Sequence, residues 1–88
     1  MKDRDLERVL KAFANRRRVA IVRLVRKSRE ASVGDIADDI RLSFRATSKH
    51  LATLSAVDIL EKEQRGLQVF YRVAHDIPDV AQKILSLL

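Results

Sequence analysis

The sequence predicts a mostly α fold of the α+β class, in which four helices precede a β-hairpin and a last helix closes the chain. Three observations predict it. Apolar residues recur at helical spacing through the first two thirds of the chain. The period drops to two around residues 68–73 and then becomes helical again. Only two glycines and one proline punctuate 88 residues, so elements are long and loops short. At roughly 100–200 residues per domain, residues 1–88 form a single domain.

Leu6, Val9, Leu10 and Phe13 give a first helix over about 4–14. Asn15 is placed to cap a second, in which Ile21, Leu24 and Val25 form a stripe with Ala20 and Val22 beside it. Ser32 opens a third helix, with Asp35 three residues on as in a capping box, and Ile36, Ala37 and Ile40 as its buried face. Ser43 caps a fourth through about Val57, buried along Thr47, Leu51 and Leu54. Val69, Tyr71 and Val73 then alternate with Gln68, Phe70 and Arg72 as a strand, and Ile59–Arg65 pairs with it across Gly66. Pro78 begins the last helix, apolar through Ile77, Val80, Ala81, Ile84, Leu85 and Leu88. The tight Arg41-Leu42-Ser43 connection makes helices three and four a helix-turn-helix. The hairpin that follows makes it winged.

Composition narrows the function. Hydrophobic residues make up 47% and charged residues 34%, a globular balance. With no cysteine there is no disulfide scaffold, thiolate metal site or thiol nucleophile, and a cytoplasmic address is expected. No apolar run approaches 18 residues, and the charged start Met1-Lys2-Asp3-Arg4-Asp5 is no signal peptide, so no membrane partner is expected. No Ser/His/Asp order, glycine-rich phosphate loop or carboxylate pair supports an enzyme.

The net charge of +6 is segregated. Residues 15–29 hold seven bases and no acid, residues 30–40 four acids and no base, and residues 41–50 Arg41, Arg45 and Lys49 without an acid. Such blocks point to a polyanion. On the fourth helix Arg45, Lys49, Ala52 and Thr53 fall opposite the buried face, with Ala46 and Ser48 at its edges. Two cations among small residues suit a helix entering a major groove. The wing adds Lys62, Gln64, Arg65, Gln68 and Arg72, countered by Glu61 and Glu63. Arg16, Arg17 and Arg18 oppose the dipole of the second helix, which either a phosphate or local pairs to Asp3 or Glu7 would explain. His50 reads as a packed, hydrogen-bonded residue. His75, Asp76 and Asp79 read as loop polarity and helix-start acids rather than a zinc site, so no cofactor is expected.

The segment Leu10-Lys11-Ala12-Phe13-Ala14-Asn15-Arg16-Arg17-Arg18-Val19-Ala20-Ile21-Val22 resembles the opening of the ArsR-type winged-helix transcriptional regulators. Ile36-Ala37, then Leu42-Ser43 with Thr47-Ser48-Lys49-His50-Leu51, resemble that family's helix-turn-helix, and Gly66 with Phe70-Tyr71-Arg72-Val73 resembles its wing. The resemblance implies a homodimeric repressor bound to operator DNA. There are departures. Arg41 and Asp58 stand where the family often has glycine, and Phe44 replaces a usually polar residue. Ser32-Val33-Gly34 occupies the family's Cys-x-Cys sensor positions, and Ile84, Leu85, Leu87 and Leu88 lack half of its carboxylate–histidine sensor.

The resulting expectation is a sequence-specific reader of double-stranded DNA that uses Ser43, Phe44, Arg45, Ala46, Ser48 and Lys49 in the groove and Lys62, Arg65 and Gln68 on the wing. A two-fold dimer is expected through Leu6, Val9, Leu10 and Phe13 of the first helix and Val80, Ile84, Leu85 and Leu88 of the last. The alternative is a winged helix that binds an acidic protein through Phe44 and its basic face, or one that binds RNA.

Overall fold

Side-chain caps mark where three of the five helices begin. In the computed structural model, which describes residues 1–88, the order is α1 (Asp3–Phe13), α2 (Arg16–Ser28), β1 (Ala31–Ser32), α3 (Val33–Ile40), α4 (Phe44–Ala56), β2 (Leu60–Arg65), β3 (Gln68–Val73) and α5 (Asp79–Leu85). Asn15 accepts from the backbone N–H groups of Arg17 and Arg18 at 3.0 and 3.1 Å. Ser32 accepts from Asp35 N and Ser43 from Ala46 N, each at 3.1 Å. Each cap relieves a first-turn donor that has no partner inside the helix.

The helix-turn-helix is shaped by how its two helices stop. Beyond α3, Arg41 is left-handed (φ 55°, ψ 51°), with Arg41 N bonded to Asp38 O and Leu42 N to Ala37 O. Beyond α4, Asp58 has φ 59°, with Asp58 N bonded to Ser55 O and Ile59 N to Leu54 O. Both are Schellman closures carrying a side chain where glycine is easiest. Arg29, which ends α2, also has a positive φ (71°, with ψ −39°) but makes no such closure, and it carries no signal in the sequence. The left-handed conformation costs about 1 kcal/mol against glycine at Arg41 and less at Asp58.

The sheet is antiparallel in the order β1-β3-β2. The hairpin register runs from Leu60 opposite Val73 to Arg65 opposite Gln68 across the two-residue turn Gly66-Leu67. Gly66 has φ 62° and Leu67 an ordinary φ, the pattern of a type II′ turn. The short strand β1, with Ala31 opposite Tyr71 and Ser32 opposite Phe70, is absent from the sequence reading. Two residues are too few to show a period, and Ser32 reads equally as a helix cap, which it also is.

One core joins all these elements. Ile21, Val22 and Val25 of α2, Ile36 of α3, and Leu51 and Leu54 of α4 meet Ile59, Leu60, Tyr71, Ala81 and Leu85. The expected buried face of α4 holds; in α3 Ile36 and Ala37 are buried as expected, but Ile40 is only half-buried and Val33 is the third buried residue, and in α2 Val22 is more deeply buried than Leu24. The same core takes in three residues expected at a dimer interface. Val9, Phe13 and Leu85 are buried within the chain itself, because α1 and α5 pack on the domain as well as presenting an outer edge. No helix is long and apolar enough to cross a membrane.

Candidate nucleic-acid interface

The capped start of α4 fixes the direction of every side chain on it. Thr47, Leu51 and Leu54 are fully buried, so Arg45, Lys49, Ala52 and Thr53 point outward, all exposed. Ala46 and Ser48 are half-buried at the edges, and Ser43 is exposed while holding its cap. Phe44, the first residue of the helix, is 62% exposed. Neither Arg45 nor Lys49 makes an ion pair, since all four ion pairs of the chain lie elsewhere. The face carries two free cations, about 6 Å apart along the axis, and no carboxylate.

The wing is different, because its two arginines are already engaged. Arg65 grips Glu30 with both terminal nitrogens at 2.9 and 2.8 Å, bonds Glu63 through Nε at 2.9 Å, and lies over the Phe70 ring at 4.6 Å. Arg72 bridges Glu63 at 3.0 Å and Glu61 at 3.3 Å. Hydrogen bonds from Arg65 hold the Glu30 and Glu63 carboxyls below the usual range. Lys62 stands opposite Tyr71, on the face packed towards the helices, whereas Arg65 and Gln68 stand on the other face. The three expected wing residues are therefore split. Lys62 and Gln68 are exposed without ion pairs, and Arg65 reaches a phosphate only by leaving its carboxylates.

Arg18 has neither of the roles the sequence offered it. It turns inward, donating from Nε to Ala12 O at 2.7 Å and from a terminal nitrogen to Lys11 O at 3.2 Å, so it closes the C-terminus of α1. Its other terminal nitrogen reaches His50 Nδ1 at 3.2 Å. His50 is thus the packed, bonded residue expected. Burial first, then the charges of Arg18 and Arg17, push its pKa down. Arg26 likewise bonds Leu85 O at the end of α5. Arg16 and Arg17 remain exposed beside Asp39 at the end of α3.

Comparison with known proteins is decided over the helix-turn-helix itself. The model of the bacterial regulatory proteins of the arsR family matches residues 15–62, more than half of the chain. The chain belongs to the arsR family. Solved structures agree along nearly its whole length. HlyU from Vibrio cholerae in its reduced form is 30% identical with a TM-score of 0.82, over 96% of this chain and 84% of that one. The homodimeric winged helix-turn-helix DNA-binding domain of Mb0332 from Mycobacterium bovis, a possible ArsR-family regulator, is 29% identical with a TM-score of 0.81, over 99% and 83%. The transcriptional repressor PagR of Bacillus anthracis is 26% identical with a TM-score of 0.78, over 97% and 94%. Family and neighbours alike make this arsR-family chain a winged-helix DNA-binding regulator, a class that is generally not enzymatic. Within it, both helices of the helix-turn-helix close without the glycine expected there. No three of its His, Asp and Glu side chains are grouped so that they could hold a metal ion.

Two residues of this surface carry no signal that the sequence reading used. Glu30 lies 35 residues before its partner Arg65, a distance that no local spacing rule spans. Leu67 leads the hairpin tip, fully exposed, where turn chemistry draws attention to Gly66 alone.

Proposed function

We propose that the chain is a dimeric repressor that reads a pseudo-palindromic operator with the outer face of α4 in the major groove. The observation that carries this is the unpaired Arg45 and Lys49 on a helix face free of carboxylates, in a helix-turn-helix whose buried side is fixed by Thr47, Leu51 and Leu54. An arginine fork fits guanine O6 and N7, and a lysine supplies a point charge to a base or phosphate. Ser43, Phe44, Ala46 and Ser48 flank those contacts, and Lys62 and Gln68 extend them along the wing.

The two-fold partner is a second copy, in keeping with the homodimeric Mb0332 domain. The surface for it is the outer edge of α1 and α5. Leu6 and Leu10 line a shallow groove with Ala14, and Val80, Ile84 and Leu88 are half-buried. Val9, Phe13 and Leu85 support that edge from the core. Repression is proposed on the likeness to PagR. With the sensor positions occupied by Ser32, Val33 and Gly34, DNA binding is proposed to be indifferent to metals.

Selection from a pool of random duplexes tests the reading. The expected product has two related half-sites with centres about 34 Å apart, or a multiple of that. Enrichment of no sequence, or of single half-sites only, overturns it.

A further inference from the structure

The wing combines a rigid tip with an unusual leading residue. Leu67 is the one large apolar side chain exposed on the hairpin, and it is fully so. It occupies the second place of a two-residue turn whose first residue, Gly66, takes φ 62°. Gln64 Nε2 donates to Gly66 O at 3.3 Å across that turn. Behind the tip, every ion pair of the chain is gathered into one network. Arg65 and Arg72 are held by Glu30, Glu61 and Glu63, and Glu30 ties the hairpin to the connection between α2 and β1.

This network has two consequences. It neutralises the two arginines of the hairpin, which face three carboxylates, and leaves Lys62, on the other face, as the wing's unpaired cation. It also stiffens the hairpin, so that little freedom is lost when the tip meets a surface. What a stiff tip of this kind presents is apolar contact. A minor groove is about 6 Å wide and shows sugar walls and acceptor edges at A·T pairs. Leucine is among the side chains that enter such grooves as apolar wedges.

We infer that Leu67 is the specificity-determining contact of the wing, seated in the minor groove beside the major groove read by α4, with the Glu30–Arg65 pair as the brace that holds it there. This rests on the proposed reading of DNA by α4. It assigns the wing a preference for A·T pairs flanking each half-site, read by shape and apolar contact rather than by charge.

The test uses the full chain, a duplex it selects from a random pool, and the variants Leu67→Ser, Leu67→Met and Arg45→Ala. Leu67→Ser is expected to bind roughly tenfold more weakly, as for a half-buried leucine's apolar area. Its salt slope stays unchanged because no phosphate contact is lost. On reselection of the flanks it loses the A·T preference, and Leu67→Met restores most of both. If Leu67→Ser keeps wild-type affinity and flanking preference while Arg45→Ala weakens binding, this inference is overturned and the α4 reading stands. A wild-type chain that selects no duplex overturns both.

Discussion

Replacing Arg18 by alanine separates a structural arginine from a DNA-binding one. The guanidinium donates at 2.7 Å to Ala12 O and at 3.2 Å to Lys11 O. Lys11 O keeps a bond from Ala14 N in the variant, but no backbone N–H reaches Ala12 O. A hydrogen bond to a charged group contributes about 1.5–3 kcal/mol when shielded. Arg18 is half-buried, so water replaces part of what is lost. The expected cost of Arg18→Ala is about 2 kcal/mol, which lowers the melting temperature of a domain this size by about 10 °C. Arg18→Lys recovers less than half, because an ammonium cannot reach both carbonyls and His50 as a planar fork does. Arg17→Ala, one residue away and exposed, is expected to leave stability within about 0.5 kcal/mol. Urea unfolding of the three variants, followed by circular dichroism, is the assay. Equal stability of Arg18→Ala and wild type, with a selective loss of DNA affinity, would refute the reasoning and return Arg18 to phosphate binding.

The remaining predictions concern strain, pH and assembly. Arg41→Gly relieves a left-handed residue and should raise the unfolding free energy by about 0.5–1 kcal/mol, read as a higher urea midpoint at unchanged slope. A loss of stability would show that the Arg41 side chain compensates for the strain. Because the folded state lowers the His50 pKa, the unfolded chain binds that proton more readily, so stability falls as pH drops below about 6.5 towards the lowered value and is complete above it. His50→Gln should flatten that stretch of the stability–pH curve, and an unchanged curve would contradict the assignment. Leu10, 46% exposed on α1, faces the proposed partner, so Leu10→Asp should give a folded monomer by light scattering. Leu85→Asp should instead unfold the chain, because Leu85 is in the core. A Leu10→Asp dimer as tight as wild type would remove α1 from the interface.

What the sequence made legible was whatever acts locally. Asn15, Ser32 and Ser43 each stand at a helix start and each accept the expected bond. Thr47, Leu51 and Leu54 fix the outer face of α4 by period alone, and Gly66 marks the turn that the hairpin makes. The contacts it did not show are long-range or too short to have a pattern. For Arg18 the sequence offered a phosphate or a pair with Asp3 or Glu7 and not its real partners, because backbone carbonyls carry no sequence signature. For Arg65 the sequence showed the opposing Glu61 and Glu63 of the wing but not Glu30, its two-pronged partner 35 residues away. Val9, Phe13 and Leu85 looked available to a partner because an apolar stripe does not say which of its residues the chain's own core will cover. The strand β1 escaped because two residues cannot display alternation.

The central claim is that α4 reads DNA through Arg45 and Lys49, and titration of Arg45→Ala and Lys49→Ala on the selected duplex at two salt concentrations tests it most directly. The account predicts that Arg45→Ala costs about 1–3 kcal/mol and relaxes preference at one base position. Lys49→Ala costs less and makes the salt slope shallower by about one unit, as expected for the loss of one phosphate contact. Unchanged affinity, preference and slope in both variants would contradict it and leave the basic face to an acidic protein or RNA partner.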